Sequence, residues 1–387
     1  MLRRDATRVE LKMHLRAHTG AQRVTLCLFV LCSTNHRHGR EAAIKAEATT
    51  KEVNMGDFIN QSPMLVVILF LVIGFVLLIK GADFFVEGSS SVAKRFHVPA
   101  IIIGLTVVAM GTSLPETAVS VTASITNNNE LAVSNAVGSN IFNLMVVIGV
   151  CAFMAPIAVG KDTIRRDIPF SAVCALLLLG FGVCAFGDTS GMVLGHLDGV
   201  LLLLLFAAYI FVLIRRTLKA QKAGEAVEVE GGSDEEIKLL PVPKSLLFIV
   251  GGAAAIAFGG DLTVDAASRI AVELGMSQTL IGLTIVSIGT SLPELVTSIV
   301  AARKNEIGMA LGNAIGSNVF NILMVLGIAS TISPIAFITE NIIDIVILLV
   351  FTLIVWMFAA TKQQLSRKEG FVMIALYVAY AVYIIMR

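Results

Sequence analysis

The hexapeptide GTSLPE occurs twice in the chain, at residues 111–116 and 289–294, and each copy is followed by GSN-x-FN, at 138–143 and 316–321. Around these motifs, residues 104–149 align with residues 282–327 at a constant offset of 178, without a gap, and 23 of the 46 aligned positions are identical. Similarity of this extent within one chain indicates an internal repeat. The sequence therefore predicts two structurally related halves.

The composition is that of a membrane protein. Of the 387 residues, 56% are hydrophobic and 15% are charged, whereas soluble proteins carry about 25% charged residues. Uncharged apolar runs such as 64–79 and 199–214 favour a polytopic helical protein in a lipid bilayer. The formal net charge of +1 gives no basic surface for nucleic acid, so no nucleic-acid partner is expected.

Ten transmembrane helices are predicted from hydropathy and from the polar breaks between apolar runs. They lie near 64–92, 98–125, 131–157, 168–187, 196–215, 244–270, 279–302, 307–332, 341–360 and 370–386. The expected organisation is a first repeat at 55–215, a polar linker at 216–243 and a second repeat at 244–387. Residues 1–54 form a basic extension that we expect to be disordered or outside the mature protein, with Met55 as the physiological start.

The distribution of basic residues predicts the orientation. If the chain enters the first span from outside, the internal loops carry sixteen Lys and Arg residues, whereas the external loops carry only Arg269. This bias places both ends of the ten-span bundle outside and the 216–243 linker in the cytoplasm. The two halves are then inverted relative to each other, which is the general architecture of secondary transporters. A duplicated structural bundle without transport is the alternative.

A proline interrupts each apolar run that contains GTSLPE. Pro115 and Pro293 lack a backbone donor and disrupt the hydrogen bond to the carbonyl of Gly111 or Gly289. A free carbonyl at membrane depth must be buried in protein or line a cavity. A cation is one partner for it, and a simple helix kink is the alternative.

Two acidic residues make a cation the better explanation. Glu116 and Glu294 each follow about 20 uncharged residues, and a charge at the bilayer centre costs about 2.5–3.5 kcal/mol on insertion scales. Neither motif contains Lys or Arg, so a bound cation is expected to supply the missing positive charge. Hydroxyl and amide groups lie one helical turn from each other or from the acids: Thr112, Ser139 and Asn143, and in the second repeat Thr290, Ser291, Ser317 and Asn321.

The ligand types indicate a hard cation. Carboxylate, hydroxyl, amide and carbonyl oxygens, with no Cys or His in either aligned repeat, suit Ca2+, Na+ or Mg2+. Two carboxylates neutralise one Ca2+, and Mg2+ is disfavoured because it dehydrates reluctantly. Ser and Asn alone would more often serve as contacts between helices.

With these motifs in place, the chain resembles the cation/calcium exchanger superfamily, specifically the sodium/calcium exchanger branch of prokaryotic type. The resemblance implies an all-α membrane fold of ten helices in two inverted five-helix repeats. It implies that Glu116 and Glu294 bind Ca2+ and share Na+ sites. It also assigns further residues to the same sites: Thr112, Ser113, Thr290, Ser291, Ser139, Asn143, Ser317 and Asn321, with the backbone carbonyls of Ala109 and Ser287.

The resemblance implies an antiporter of the cell membrane that exchanges Ca2+ for Na+ by alternating access and extrudes Ca2+. Both ions are transported substrates, no cofactor and no enzymatic activity are expected, and the functional unit is expected to be a monomer. Asn321 stands where potassium-dependent relatives have aspartate, and GTSLPE replaces the GN-x-x-E of the proton-coupled branch. Na+ is therefore the ion that we expect to be exchanged for Ca2+. Calcium/proton antiport at the same site and a passive cation channel are the alternatives.

Overall fold

The computed structural model describes residues 55–125, 129–183, 192–223, 239–276, 285 and 287–386. The predicted extension 1–54, most of the linker and the beginning of the predicted seventh span lie outside these ranges. The helices are α1 (Met55–Gln61), α2 (Met64–Arg95), α3 (Ala100–Thr112), α4 (Leu114–Ile125), α5 (Leu131–Met154, preceded by a first turn from Asn129), α6 (Thr163–Val183), α7 (His196–Ala223), α8 (Val242–Glu273), α9 (Ser287–Thr290), α10 (Leu292–Arg303), α11 (Ile307–Ile332), α12 (Thr339–Lys362) and α13 (Arg367–Met386).

The chain is a multi-pass helical membrane protein. Among the described residues, eight helices are long and apolar enough to cross a membrane, and α3 and α4 together pass the same test as a pair that is bent by 50°. Their outer faces carry large exposed apolar side chains, for example on α2, α7, α12 and α13. Such a surface is stable against lipid rather than water. The full count of ten spans stays a prediction, because residues 277–284 and 286 of the seventh span lie outside the described ranges.

Two helices from corresponding positions of the repeats form the centre of the bundle. In α5 and α11, 72% and 78% of the membrane window is buried within the protein, against 39% or less in the other six candidate spans. Both helices carry the GSN-x-FN motif, so the structure places the conserved polar residues at the most protected depth of the fold.

Proline ends both central helices in the same way. Ala155 and Ser333 adopt extended backbone conformations, as expected for residues that precede Pro156 and Pro334. The chain then forms a two-residue strand in each repeat, β1 (Ile157–Ala158) and β3 (Ile335–Ala336). These strands lie 178 residues apart, which is the offset of the internal repeat.

Each of these strands pairs with a strand from the other repeat. The partners are β2 (Val193–Leu194) and β4 (Gln364–Leu365): β1 pairs antiparallel with β4, and β2 pairs antiparallel with β3. Helix α6 connects β1 towards β2, and α12 connects β3 to β4, so the two strand pairs lie at opposite ends of the bundle. Consequently α5 and α11 end on opposite sides of the molecule.

Helices α2 and α8 pack against each other at unusually short distance. A Cβ atom on Gly81 would lie 2.9 Å from the backbone nitrogen of Ile256, and one on Gly252 would lie 2.7 Å from the backbone nitrogen of Phe85. Only glycine permits the two backbones to approach this closely. The pair packs against both broken helices: α2 and α8 both contact α3, α10 packs against α2, and α9 packs against α8.

Candidate functional site

The two GTSLPE motifs lie at breaks between helices. Helix α3 ends at Thr112 and α4 begins at Leu114, with Ser113 between them at φ −86° and ψ 15°. The second break has the same form, with Ser291 at φ −95° and ψ 4° between α9 and α10. The proline after each break therefore lies in the first turn of a new helix, where its missing donor costs no intrahelical bond. Each break exposes the carbonyl end of one helix and the amide end of the next.

Glu116 and Glu294 occupy the first turns of α4 and α10. Both side chains are buried, with 0% and 1% exposed. The positive end of the helix dipole favours a carboxylate at this position. Among the described residues, no ion pair involves either glutamate. Two carboxyl groups thus lie in the protein interior, and no Lys or Arg side chain of the described residues pairs with them.

A serine at each break reaches the glutamate of the other repeat. Ser113 Oγ donates to Glu294 Oε1 over 2.8 Å, and Ser291 Oγ donates to Glu116 Oε1 over 3.2 Å. Ser113 Oγ also lies 3.1 Å from Ser317 Oγ. The two broken helices therefore meet face to face, and the conserved polar groups of both repeats form one cluster.

Four asparagines connect the central helices α5 and α11. Asn140 Nδ2 donates to the carbonyl of Asn318 over 3.1 Å, and Asn318 Nδ2 donates back to the carbonyl of Asn140 over 3.2 Å. Asn143 Nδ2 donates to Asn318 Oδ1 over 3.3 Å, and Asn321 Nδ2 donates to Asn140 Oδ1 over 3.1 Å. The four amide nitrogens therefore donate within this group of asparagines. The side-chain oxygens of Asn143 and Asn321 accept no hydrogen bond from the described residues.

The backbone changes its hydrogen-bonding register at the same two asparagines. A π-helical turn begins at Asn143 and another at Asn321, covering Asn143–Val147 and Asn321–Val325. A π-helical turn inserts one extra residue into a helix and re-aims the side chains beside it, and such turns are frequent at functional sites. Both repeats thus contain a π-helical turn that begins at the last asparagine of GSN-x-FN.

Five buried oxygen atoms in this region have no hydrogen-bond partner among the described residues. They are Glu116 Oε2, Glu294 Oε2, Ser139 Oγ, Asn143 Oδ1 and Asn321 Oδ1. Leaving a buried acceptor unpaired costs about 1–3 kcal/mol, and more if it is charged. Four of the five can only accept, so a cation or an incoming donor is what they can bind. The described residues contain no cluster of three or more His, Cys, Asp or Glu, which leaves hydroxyl and amide oxygens to complete any cation shell around the two acids.

The structure can be compared with the twelve residues expected from the sequence. Ser113 contacts Glu294 and Ser317, and Ser291 contacts Glu116. Asn143 and Asn321 are joined through Asn318 and Asn140. Thr112 donates to Asn313, and Thr290 donates to Asn135. Ser139 is buried one turn before Asn143, and Ser287 begins α9. The carbonyl of Ala109 already accepts the Ser113 amide over 3.0 Å.

Sequence reasoning missed four residues of this network: Asn135, Asn313, Asn140 and Asn318. Asn135 and Asn313 donate to the backbone carbonyls of Glu116 and Glu294, and Asn140 and Asn318 donate to each other's backbone carbonyls. A signal for them existed, because Asn135 matches Asn313 and Asn140 matches Asn318 among the 23 identical positions of the repeat.

Comparison with known proteins agrees with this geometry. The sequence model of the family described as sodium/calcium exchanger protein matches residues 66–215 and 244–386. The chain belongs to this family. A putative antiporter, CaxA of Alkalimonas amylolytica, is 42% identical over 275 residues, which cover 70% of this chain and 82% of that protein. The sodium/calcium exchanger MaX1 of Methanosarcina acetivorans is 33% identical, over 81% of this chain and 97% of its own.

The fold of this family member is also similar to a solved structure. A crystal of the sodium-calcium exchanger NCX_Mj soaked with Na+ and Sr2+ matches with a TM-score of 0.68 and 33% identity, covering 82% of this chain and 98% of that one. The match extends over nearly the whole of that exchanger, so the helical architecture described above is the one that the family uses.

Proposed function

We propose that the protein is a secondary active antiporter that exchanges Ca2+ for Na+ by alternating access and extrudes Ca2+ from the cell. The single observation that carries this proposal is the set of buried oxygen atoms that have no hydrogen-bond partner among the described residues, around two buried glutamates. The proposed ligands are the side chains of Glu116, Glu294, Thr112, Thr290, Ser113, Ser291, Ser139, Asn143, Ser317 and Asn321, with the carbonyls of Ala109 and Ser287.

The chemistry of these ligands supports hard cations. Carboxylate, carbonyl, hydroxyl and amide oxygens suit Ca2+ and Na+, and two carboxylates balance the charge of one Ca2+. Because the same oxygens would bind either one Ca2+ or several Na+, occupancy is mutually exclusive. Competition for the same ligands then couples the two fluxes without any covalent chemistry, so no enzymatic activity is involved.

The energetics of exchange allow Ca2+ extrusion. With three Na+ per Ca2+, one net positive charge enters in each cycle. A tenfold Na+ gradient supplies about 1.4 kcal/mol per ion, and a membrane potential of about 100 mV supplies about 2.3 kcal/mol per charge. The sum of roughly 6.5 kcal/mol supports a Ca2+ gradient of between four and five orders of magnitude.

The proposed architecture is a monomer of ten spans in the cell membrane, with two inverted repeats, both bundle ends outside and the 216–243 linker in the cytoplasm. The opposite ends of α5 and α11 support the inversion. In alternating access, α2 and α8 would move against the remaining helices and open the site to one side at a time. Relatives support the substrates, because MaX1 and NCX_Mj are both called sodium/calcium exchangers.

The test is 45Ca2+ uptake into Na+-loaded proteoliposomes with external Na+ replaced by choline. We expect uptake that requires internal Na+ and that disappears in the Glu116→Gln/Glu294→Gln variant, because the amides remove both negative charges at nearly constant shape. Uptake driven by a proton gradient in Na+-free vesicles would instead identify calcium/proton antiport at this site. Uptake that ignores both gradients and both glutamates would reject exchange and favour a passive channel.

A further inference from the structure

Two asparagines outside the proposed ligand set make matching contacts in the two repeats. Asn313 on α11 donates from Nδ2 to the carbonyl of Glu294 over 3.3 Å and to Ser298 Oγ over 3.0 Å. Asn135 on α5 donates from Nδ2 to the carbonyl of Glu116 over 3.4 Å and to Ser120 Oγ over 3.1 Å. Each amide thus attaches to the backbone of the glutamate in its own repeat.

The other end of each amide faces the opposite repeat. Thr112 Oγ1 donates to Asn313 Oδ1 over 3.0 Å, and Thr290 Oγ1 donates to Asn135 Oδ1 over 3.5 Å. Asn313 is fully buried. Each asparagine therefore joins the broken helix of one repeat to the glutamate of the other.

The orientation of the Asn313 amide follows from its partners. The carbonyl of Glu294 can only accept a hydrogen bond, so the amide nitrogen must face it, and Oδ1 must face Thr112. An amide oxygen is an acceptor only, and the Thr112 hydroxyl has a single proton. Thr112 is consequently the donor in this contact.

That single proton has competing acceptors in its own helix. The carbonyls of Val108 and Ala109 lie 3.1 Å and 3.4 Å from Thr112 Oγ1. A helical threonine without another partner donates to the carbonyl three or four residues earlier. Asn313 offers the shortest of these three contacts, and the Glu294 carboxylate is a further acceptor beside the same hydroxyl. While Asn313 holds the proton, the hydroxyl does not donate to the carbonyl oxygens at the end of α3.

We infer that Asn313 and Asn135 are positioning residues of the cation site. Their amide oxygens hold the threonine protons away from the backbone carbonyls at the helix breaks, and their amide nitrogens fix the backbone of the two glutamates. The second lone pair of the Ala109 carbonyl oxygen, which already accepts the Ser113 amide, and a lone pair of Thr112 are thereby kept for the cation. This inference rests on the proposed function, since it concerns cations at that same site.

The test is the concentration dependence of Na+-driven 45Ca2+ uptake in the Asn313→Ala variant. We expect the half-saturating Ca2+ concentration to rise about tenfold, the lower end of the effect of residues that support metal ligands, with a smaller change in maximum rate. Asn135→Ala should change the half-saturating concentration in the same direction. Ser298→Ala is the matched control, because it removes a partner of the Asn313 nitrogen and leaves Oδ1 in place.

A double-mutant cycle separates positioning from packing. Thr112→Val removes the proton that Asn313 Oδ1 holds, so Asn313→Ala should raise the half-saturating concentration less in that background than in the unmodified protein, because only the bond from Nδ2 to the Glu294 carbonyl is then left to lose. Independent multiplication of the two effects, or an unchanged half-saturating concentration in both asparagine variants, would overturn the inference. Failure of the unmodified protein to exchange would instead reject the proposed function. If Asn313→Ala does not fold, Asn135→Ala in the Thr290→Val background runs the same cycle in the other repeat.

Discussion

At the scale of single residues, hydrogen bonds between the repeats decide how the two acids are held. Ser113 donates its only hydroxyl proton to Glu294 over 2.8 Å, and Ser291 does the same for Glu116 over 3.2 Å. Each bond satisfies one carboxylate oxygen and leaves the second without a partner among the described residues. Each glutamate is therefore oriented by a serine of the other repeat, and its second oxygen can bind the cation that we propose.

Ser113→Ala should weaken Ca2+ binding more than any other single hydroxyl deletion in the site. The change removes a hydrogen bond to a charged group, worth about 1.5–3 kcal/mol, and frees the Glu294 side chain to rotate. We expect an increase of about tenfold or more in the half-saturating Ca2+ concentration, and a smaller increase for Ser291→Ala because its bond is longer. Titration of Na+-driven 45Ca2+ uptake measures both values.

Ser330→Ala is the control for this prediction. Ser330 is as buried as Ser113, but within the described part of the chain its hydroxyl bonds only to carbonyls of its own helix, those of Leu326 and Gly327. Its substitution should leave the half-saturating concentration unchanged. Equal effects of Ser113→Ala and Ser330→Ala would mean that the loss of any buried hydroxyl, rather than the loss of the bond to Glu294, changes the affinity.

At the scale of the helices, the close pairing of α2 and α8 depends on glycines that face the partner backbone. A Cβ atom on Gly252 would lie 2.7 Å from the Phe85 nitrogen and 2.8 Å from the Gly81 oxygen, whereas one on the adjacent Gly251 meets nothing within 4 Å. Backbone atoms cannot rotate away as side chains do. The two neighbouring glycines thus provide a matched pair of sites for testing the interface between α2 and α8.

Gly252→Ala should destabilise the protein by about 1–3 kcal/mol, because an inserted methyl group overpacks the interface between α2 and α8 and forces these two helices apart. Gly251→Ala should leave the free energy of unfolding unchanged or raise it by up to about 1 kcal/mol, because alanine is the better helix former. Thermal unfolding in detergent, monitored by the loss of soluble protein, compares the two variants. A destabilised Gly251→Ala beside an unaffected Gly252→Ala would contradict the packing of α2 against α8.

The helices themselves could be predicted from the sequence because their signals are local. Pro115 and Pro293 indicate the breaks, Pro156 ends α5, and the apolar runs give the long helices, whereas the short α1 and the four two-residue strands were not predicted. The acids were also predictable, since Glu116 and Glu294 lie in runs where a charge is costly without a partner. These conclusions needed only the residues within a few turns of each position.

Features that depend on distant partners could not be predicted in the same way. The contact of Ser113 with Glu294 joins residues 181 positions apart, and the role of Asn313 appears only when Thr112 and the Glu294 carbonyl are both beside it. The π-helical turns at Asn143 and Asn321 depend on a change in backbone hydrogen bonding that no residue type in the sequence predicts. Such properties belong to the assembled bundle rather than to any segment of it.

At the scale of the whole molecule, the two strand pairs connect the repeats at opposite ends of the bundle. Ala158 is opposite Gln364 in one pair, and Val193 is opposite Ala336 in the other. Lys161, Arg165 and Arg166 follow β1, while Lys362 precedes β4. Positive residues favour the cytoplasmic side, so the β1–β4 pair is expected there and the β2–β3 pair on the outside.

Cysteine substitution tests this orientation in a background without the five native cysteines. Residues directly opposite in an antiparallel pair have Cα atoms about 4.5–5.5 Å apart, which a disulfide can bridge. We therefore expect Ala158→Cys/Gln364→Cys and Val193→Cys/Ala336→Cys each to form a disulfide on oxidation. The control, Ala158→Cys/Ala336→Cys, should form none because its two residues lie at opposite ends of α6 and α12.

The single variants then report which end faces the cytoplasm. A membrane-impermeant maleimide added to intact cells should label Ala336→Cys and should label Gln364→Cys only after the membrane is opened, since the basic residues beside β4 hold that end inside. Labelling of both cysteines from outside would be incompatible with strand pairs on opposite membrane faces. Labelling of Gln364→Cys from outside, with Ala336→Cys labelled only after the membrane is opened, would still agree with inverted repeats. It would mean that the protein has the opposite orientation in the membrane, with the β1–β4 pair outside.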